Sequence, residues 1–301
     1  MTNGTAVVTD STSYIPQALL AEHPVSIVPL HVVLGDRSGQ EGGEITPQDV
    51  ATALRDKSIA VSTSRPTPED FLSVYYRLLD EGASDIVSVH ISSELSGTFD
   101  SARTAAAECN EKRPQGRVHV VDSRITCMAM GQAALAAKRA AEAGIEADEI
   151  VRLVNWIAEE STNLFYVDTL EYLRRGGRIG AAQALLGTAL AVKPLLHLSE
   201  GRIMPLEKVR TSSRAIARLK ALALVDAAKR DNQVQIAVQH LAAADRAESL
   251  AADLAKALPA DTSIVVGEVG AVVGAHVGPG LLGIALTPLT DALPPAPQRH
   301  L

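Results

Sequence analysis

A chain of 301 residues with 47% hydrophobic and 21% charged side chains has the balance of a folded globular protein, long enough for one large domain or two mid-sized ones. With 28 basic against 35 acidic residues the net charge is −7, which argues against a general binder of nucleic-acid backbones; aromatics at 3% leave little for stacking on bases or sugars. The two cysteines, Cys109 and Cys127, form no CxxC and have no histidine pair nearby, so they predict reduced thiols rather than a disulfide framework or a zinc site. No metal ion and no cofactor is expected. The first residues, Met1-Thr2-Asn3-Gly4-Thr5, show no basic segment followed by an apolar one, and a cytoplasmic protein is the expectation.

In chain order, β-branched runs at 6–9, 26–33, 85–91 and 117–122 predict buried strands. Between them, Thr67-Pro68-Glu69-Asp70 followed by Phe71, Val74, Tyr75 and Leu78 predicts a helix with Thr67 at the N-cap, Pro68 at the first position and Gly82 as the stop. Further helices are expected after Ser96-Gly97-Thr98, from about Gly131 to Gly144, and over 149–160, where Ile150, Leu153, Val154 and Ile157 share a face. This alternation predicts an N-terminal α/β domain, residues 1–160, with a mostly parallel sheet covered by helices on both faces. Beyond it, strand-like runs at 164–168, 191–198, 235–239 and 263–269 mix with helical stretches at 210–228 and 243–258, predicting a C-terminal α+β domain over 161–287 and a loose tail at 288–301. Residues 269–288 carry no Lys, Arg, Asp or Glu, but Gly270, Gly274, Gly278, Pro279, Gly280 and Gly283 interrupt the run. Buried strands and turns are therefore expected there rather than a membrane span.

Four loops carry the candidate chemistry: 9–13 (TDSTS), 62–66 (STSRP), 92–98 (SSELSGT) and 274–280 (GAHVGPG). Hydroxyls and free N–H groups at the start of a helix suit an anion, though Ser and Thr serve equally to cap helices and close turns. A serine hydrolase would need a nucleophile, a base and an orienting acid, for which Ser93 or Ser96, His276 and Asp10 are the available residues, but no G-x-S-x-G elbow exists. The run Gly278-Pro279-Gly280-Leu281-Leu282-Gly283 matches G-x-G-x-x-G only formally, because Pro279 occupies the turn and too little chain follows. Basic clusters at Arg174-Arg175-Gly176-Gly177-Arg178 and around Arg210 and Arg214 fit either solvated helix ends or docking sites for an anion or a partner.

Taken together, seven blocks in order make the chain resemble the DegV family from Val8 to about Leu286: VTDSTS at 8–13, TSRP at 63–66, ISSELSGTF at 91–99, DTLEYLRRGGRIG at 168–180, VKPLL at 192–196, LEKVRT at 206–211 and GAHVGPGLLGI at 274–284. The resemblance implies a two-domain α/β carrier, not an enzyme by itself, that holds one long-chain fatty acid between its domains and presents it to a separate fatty acid kinase. Carried over by position, the carboxylate contacts would be Thr63, Ser93 and Ser96 with His276 close by, and Arg178 and Arg210 would serve kinase interaction or the head group. No nucleic-acid partner is implied, and transient contact with a membrane surface is compatible with the role. A stand-alone acyl-ester hydrolase or transferase, or a lipid-sensing regulator, are the alternatives. Two departures from the family pattern stand out: Arg65 replaces the usual Gln, and Met128-Ala129-Met130-Gly131 replaces a more glycine-rich stretch.

Overall fold

The computed structural model describes residues 4–56, 58–114, 116–185, 193–230 and 233–290. In the first half the order is β1 (Thr5–Asp10), α1 (Gln17–Glu22), β2 (Ser26–Val28), β3 (His31–Leu34), β4 (Arg37–Gln40), α2 (Pro47–Ala53), β5 (Val61–Ser64), α3 (Pro68–Asp80), β6 (Asp85–His90), α4 (Thr98–Lys112), β7 (Arg117–Asp122), α5 (Cys127–Glu142) and α6 (Ala147–Glu160). The second half contributes β8 (Thr162–Tyr166), α7 (Glu171–Arg175), β9 (Lys193–Ser199), β10 (Arg202–Val209), α8 (Ser212–Ala227), β11 (Val234–His240), α9 (Ala244–Ala255), β12 (Ser263–Glu268), α10 (Ala271–Val277) and β13 (Leu282–Pro288).

The first sheet runs β2-β1-β6-β7, all parallel. Because successive side chains of a strand point to opposite faces, Val7 packs among residues of α5 and α6 while Val8 packs with Phe71 and Tyr75 of α3 and Ala102 and Ala105 of α4. A parallel sheet with apolar residues on both faces and helices over each is the architecture that alternating strands and helices predict. The second sheet, β10-β9-β8-β13-β11-β12, is mixed. One of its faces, with Leu164, Ile236, Val238 and Ile284, packs with Ala215, Leu219 and Ala223 of α8 and Ala247 and Leu250 of α9. Its other face sends Ala237 and Ala285 into the core built on α5 and α6.

A third, antiparallel sheet, β4-β3-β5, was not expected and is central to the site. The run at 26–33, expected as one strand, is two: Pro29 and Leu30 separate β2, which joins the first sheet, from β3, which joins the third. Residues 62–66, expected as a loop, supply most of β5, whose hydroxyl-rich sequence gains strand structure from pairing with β3. The charge-free run at 269–288, expected as strands and turns, contains α10 before β13. That short helix packs Ala271, Val272 and Ala275 against Leu30, Val32, Ile45 and Val50, so tertiary burial rather than periodicity stabilises it. Pro288 of the expected loose tail closes β13, pairing with Val234; the rest of that tail lies outside the described residues from 291 onward, as does Val192 of the VKPLL block. Among the described residues no helix is long and apolar enough to cross a membrane.

Candidate functional site

Where β5, α10 and the loop before α4 converge, the structure brings Thr63 and His276 together: Thr63 Oγ1 lies 2.8 Å from His276 Nε2. Thr63 is placed by the ladder of β5, in which it faces Val32 of β3. His276 sits in the last turn of α10, and a clamp from the first half of the chain fixes that helix. The buried Glu41 carboxylate accepts a hydrogen bond from Val272 N at 2.7 Å, from the Tyr14 hydroxyl at 3.1 Å and from the Ser11 hydroxyl, while Tyr14 Oη accepts from Val273 N at 3.1 Å. A carboxylate is well placed there, since the first N–H groups of a helix have no partner within it. Burial pushes the Glu41 carboxyl above the usual carboxylate range. Against the other side of the imidazole lies Gly176, where any Cβ would collide with the ring.

The second ring nitrogen, His276 Nδ1, is buried and has no hydrogen-bond partner among the described residues. Burial, with the Arg178 cation nearby, lowers the imidazole to about 4. The ring is therefore neutral near pH 7, with Nε2 on Thr63 and Nδ1 packed against Gly176.

Thr63 and His276 border a cavity of about 430 Å³, within the range of small-molecule sites. Its polar end also includes Ser64, Arg65, Ser96, Gly97 and Arg178. The Ser96 hydroxyl lies 2.9 Å from that of Thr98 and accepts from Thr98 N at 3.3 Å, an arrangement that stiffens the turn entering α4. Arg178 donates from Nε to Leu95 O at 3.0 Å and from Nη1 to Gly176 O at 2.6 Å; Arg65 donates from Nη1 to Gly97 O at 3.2 Å. Two guanidinium groups are thus anchored at one end through backbone carbonyls rather than carboxylates. Along the rest of the wall stand Ile91, Phe165, Leu173, Leu198, Val269 and Val273, among other apolar side chains. An amphiphile with an anionic head and a long hydrocarbon tail matches this division, with hydroxyls and two cations at one end and mostly apolar side chains along the rest.

Of the six residues singled out in the sequence, the structure gathers Thr63, Ser96, His276 and Arg178 at this cavity and leaves two elsewhere. Ser93 is exposed, and Asp122 occupies it: Ser93 N donates to Oδ1 at 3.1 Å and the Ser93 hydroxyl to Oδ2 at 2.5 Å. Its expected contact with a head group is not supported by that placement, because a carboxylate already takes both of its donors. Arg210 is exposed just after β10 and does not border the cavity. The residues weighed for a hydrolase are also not assembled, since Asp10 hydrogen-bonds His90 at 3.1 Å while His276 faces Thr63. Sequence reasoning missed Glu41 and Tyr14, which hold α10, and no motif around them could have shown it. Arg65 stood out only as a departure from the family pattern, and it lies on the cavity rim.

Residues 4–289 match the DegV family, a family of uncharacterised proteins. A DegV domain-containing protein of Streptomyces coelicolor is 53% identical over 287 residues, 95% of this chain and 99% of that one. One from Mycobacterium tuberculosis is 38% identical over 293 residues, covering 96% and 99%. Among solved structures, a fatty-acid-binding DegV family protein from Thermus thermophilus superposes with a TM-score of 0.88 at 36% identity, covering 95% of this chain and all of that one. The fatty acid binding protein DegV from Bacillus subtilis gives 0.85 at 32%, with 96% and 100% covered. A match that spans nearly the whole chain, with relatives far above 30% identity over nearly their whole length, shows that this chain belongs to the DegV family.

Proposed function

We propose that this protein binds one long-chain fatty acid between its 1–160 and 161–287 parts. The carboxylate lies at the end formed by Thr63, Ser96 and His276, flanked by Arg65 and Arg178, and the hydrocarbon runs inward. The observation that carries this reading is the polarity of this cavity, hydroxyl, imidazole and guanidinium groups at one end and mostly apolar side chains along the remainder. The relatives named for fatty-acid binding, from T. thermophilus and B. subtilis, support it. Energetically the tail dominates: roughly 14 buried methylenes at about 0.8 kcal/mol each give on the order of 11 kcal/mol gross, from which chain ordering is subtracted. The head group adds orientation, and several hydrogen bonds offset the cost of drying a carboxylate.

The carrier then presents the carboxylate to a separate fatty acid kinase in the cytoplasm, performing no turnover of its own, and Arg210 serves that encounter from outside the cavity. Calorimetric titration of the delipidated protein with palmitate tests the binding step. Saturable one-to-one binding is expected, and the absence of any binding overturns it. The encounter is tested by acyl phosphate formation with kinase and ATP: Arg210→Ala binds palmitate as the parent does but supports slower phosphorylation, and an unchanged rate removes Arg210 from the docking surface.

A further inference from the structure

The inner wall of the cavity is not uniformly apolar. In the sheet register, Gln239 of β11 faces Gly283 of β13, which faces Phe165 of β8; two residues along, Ala285 faces Asn163. Paired residues and their i, i+2 neighbours share a face, so Gln239, Gly283, Phe165, Ala285 and Asn163 form one surface. All five border the cavity. Gly283 and Ala285 keep its centre low, and an amide stands on either side.

Both amides are more than nine-tenths buried, Gln239 at 6% exposure and Asn163 at 9%. One backbone hydrogen bond to the start of α5 orients each. Met128 N donates to Gln239 Oε1 at 3.0 Å, and Asn163 Nδ2 donates to Thr126 O at 3.3 Å. These bonds use the oxygen of one amide and the nitrogen of the other. What remains is complementary: the Gln239 NH2 makes no hydrogen bond to another described residue, and Asn163 Oδ1 is buried without a partner. A plain hydrocarbon tail lying here leaves a dry donor and a dry acceptor, each costly in an apolar surrounding.

We propose that this wall is a second polar subsite, which receives a neutral hydrogen-bonding group on the distal part of the acyl chain, and that hydroxylated long-chain acids are a favoured ligand class. The inference rests on the acyl-binding reading above. A hydroxyl accepts from the Gln239 NH2 through its lone pair and donates its proton to Asn163 Oδ1, closing both open valences with one group. A second carboxylate is disfavoured, because no cation borders this wall among the described residues.

The experiment is a competition titration on the delipidated protein with stearate and a positional series of monohydroxystearates. At least one distal isomer is expected to bind about tenfold more tightly than stearate, the worth of a well-made neutral hydrogen bond in a dry site. In Gln239→Met the ratio between that isomer and stearate falls to about one, while stearate itself still binds. If every isomer binds more weakly than stearate, or if the preference survives in Gln239→Met, the subsite is wrong and fatty-acid binding still stands. If neither stearate nor any isomer binds, the acyl reading itself has failed. Because the series is measured on the unaltered protein, the outcome does not depend on the variant folding.

Discussion

Two histidines of this chain each meet a hydroxyl, and they behave as opposites. His90, wholly buried, uses both ring nitrogens: Nδ1 lies 3.1 Å from Asp10 Oδ2 and Nε2 lies 2.7 Å from Ser88 Oγ, which in turn lies 2.8 Å from the Tyr75 hydroxyl. Asp10 also accepts from Ile91 N and Thr12 N, both at 3.0 Å, and the Phe71 ring meets His90 edge-on with centroids 4.9 Å apart. His276 has one hydroxyl partner, a second nitrogen buried against Gly176 without one, and a cavity beside it. Residue type does not separate the two; the count of satisfied donors and acceptors does. A closed network specifies a fold, whereas a hydroxyl–imidazole pair on a cavity wall is capacity for a ligand.

The closed network depends most on Asp10. Removing that carboxylate by Asp10→Ala strands His90, Ile91 N, Thr12 N and the Thr12 hydroxyl in a dry core, for an expected loss of about 3 to 5 kcal/mol in urea unfolding. A loss under about 1 kcal/mol means the network is not a closed structural unit. Next comes pH. The imidazole of His276 falls from an ordinary 6.5 to about 4 in the folded protein, so on acidification the unfolded chain takes up its proton first. Its contribution is fully present above about pH 6.5 and is lost as pH falls toward 4, on the order of 3 kcal/mol over that window. Stability measured at pH 7 and pH 4.5 for the parent and His276→Asn tests this. The variant loses less on acidification, and equal losses rule out a depressed His276.

These contrasts also explain what could be read from the residues before the fold was known. Helix α3 was legible because its signals are local: Thr67 and Asp70 form a reciprocal cap, Pro68 occupies the first turn, and Gly82 follows the end at φ +99°. Strand β7 was legible to the residue for a similar reason, a compact β-branched run between turn formers. Strand β5 was not, because VSTS lacks apolar alternation and owes its form to β3. Helix α10 was not either, since the carboxylate that serves its first turn comes from Glu41, more than two hundred residues earlier in sequence. Within the site, motif order led to Thr63, Ser96, Arg178 and His276. Gln239 and Asn163 stayed invisible, because only sheet register decides that their face lines a cavity rather than a core.

At the cavity, a smaller effect is expected from the Thr63 hydroxyl. Thr63→Val keeps the shape of the side chain and removes the hydroxyl that faces both His276 and the cavity. The expected loss in palmitate affinity is about 1 to 3 kcal/mol, with the unfolding midpoint nearly unchanged because the residue is only half-buried. Unchanged affinity moves the head group away from β5.

The smallest effect is expected at Ser93, and it separates geometry from motif most directly. Ser93 and Ser96 stand three residues apart in one block, and sequence resemblance treats them alike. The structure does not: Ser96 borders the cavity, while Ser93 is exposed and spends its hydroxyl and its N–H on Asp122, which also accepts from Arg124 N at 3.1 Å. Asp122 thereby ties together the turns that follow β6 and β7. Ser93→Ala removes one of these three bonds at a solvated position, so a stability change of less than about 1 kcal/mol is expected, with palmitate affinity within about twofold of the parent. A tenfold loss in affinity shows instead that ligand binding pulls Ser93 off Asp122 and into the head-group site. The two serines then act as one anion-binding turn, and the boundary between closed and open networks shifts when the ligand binds.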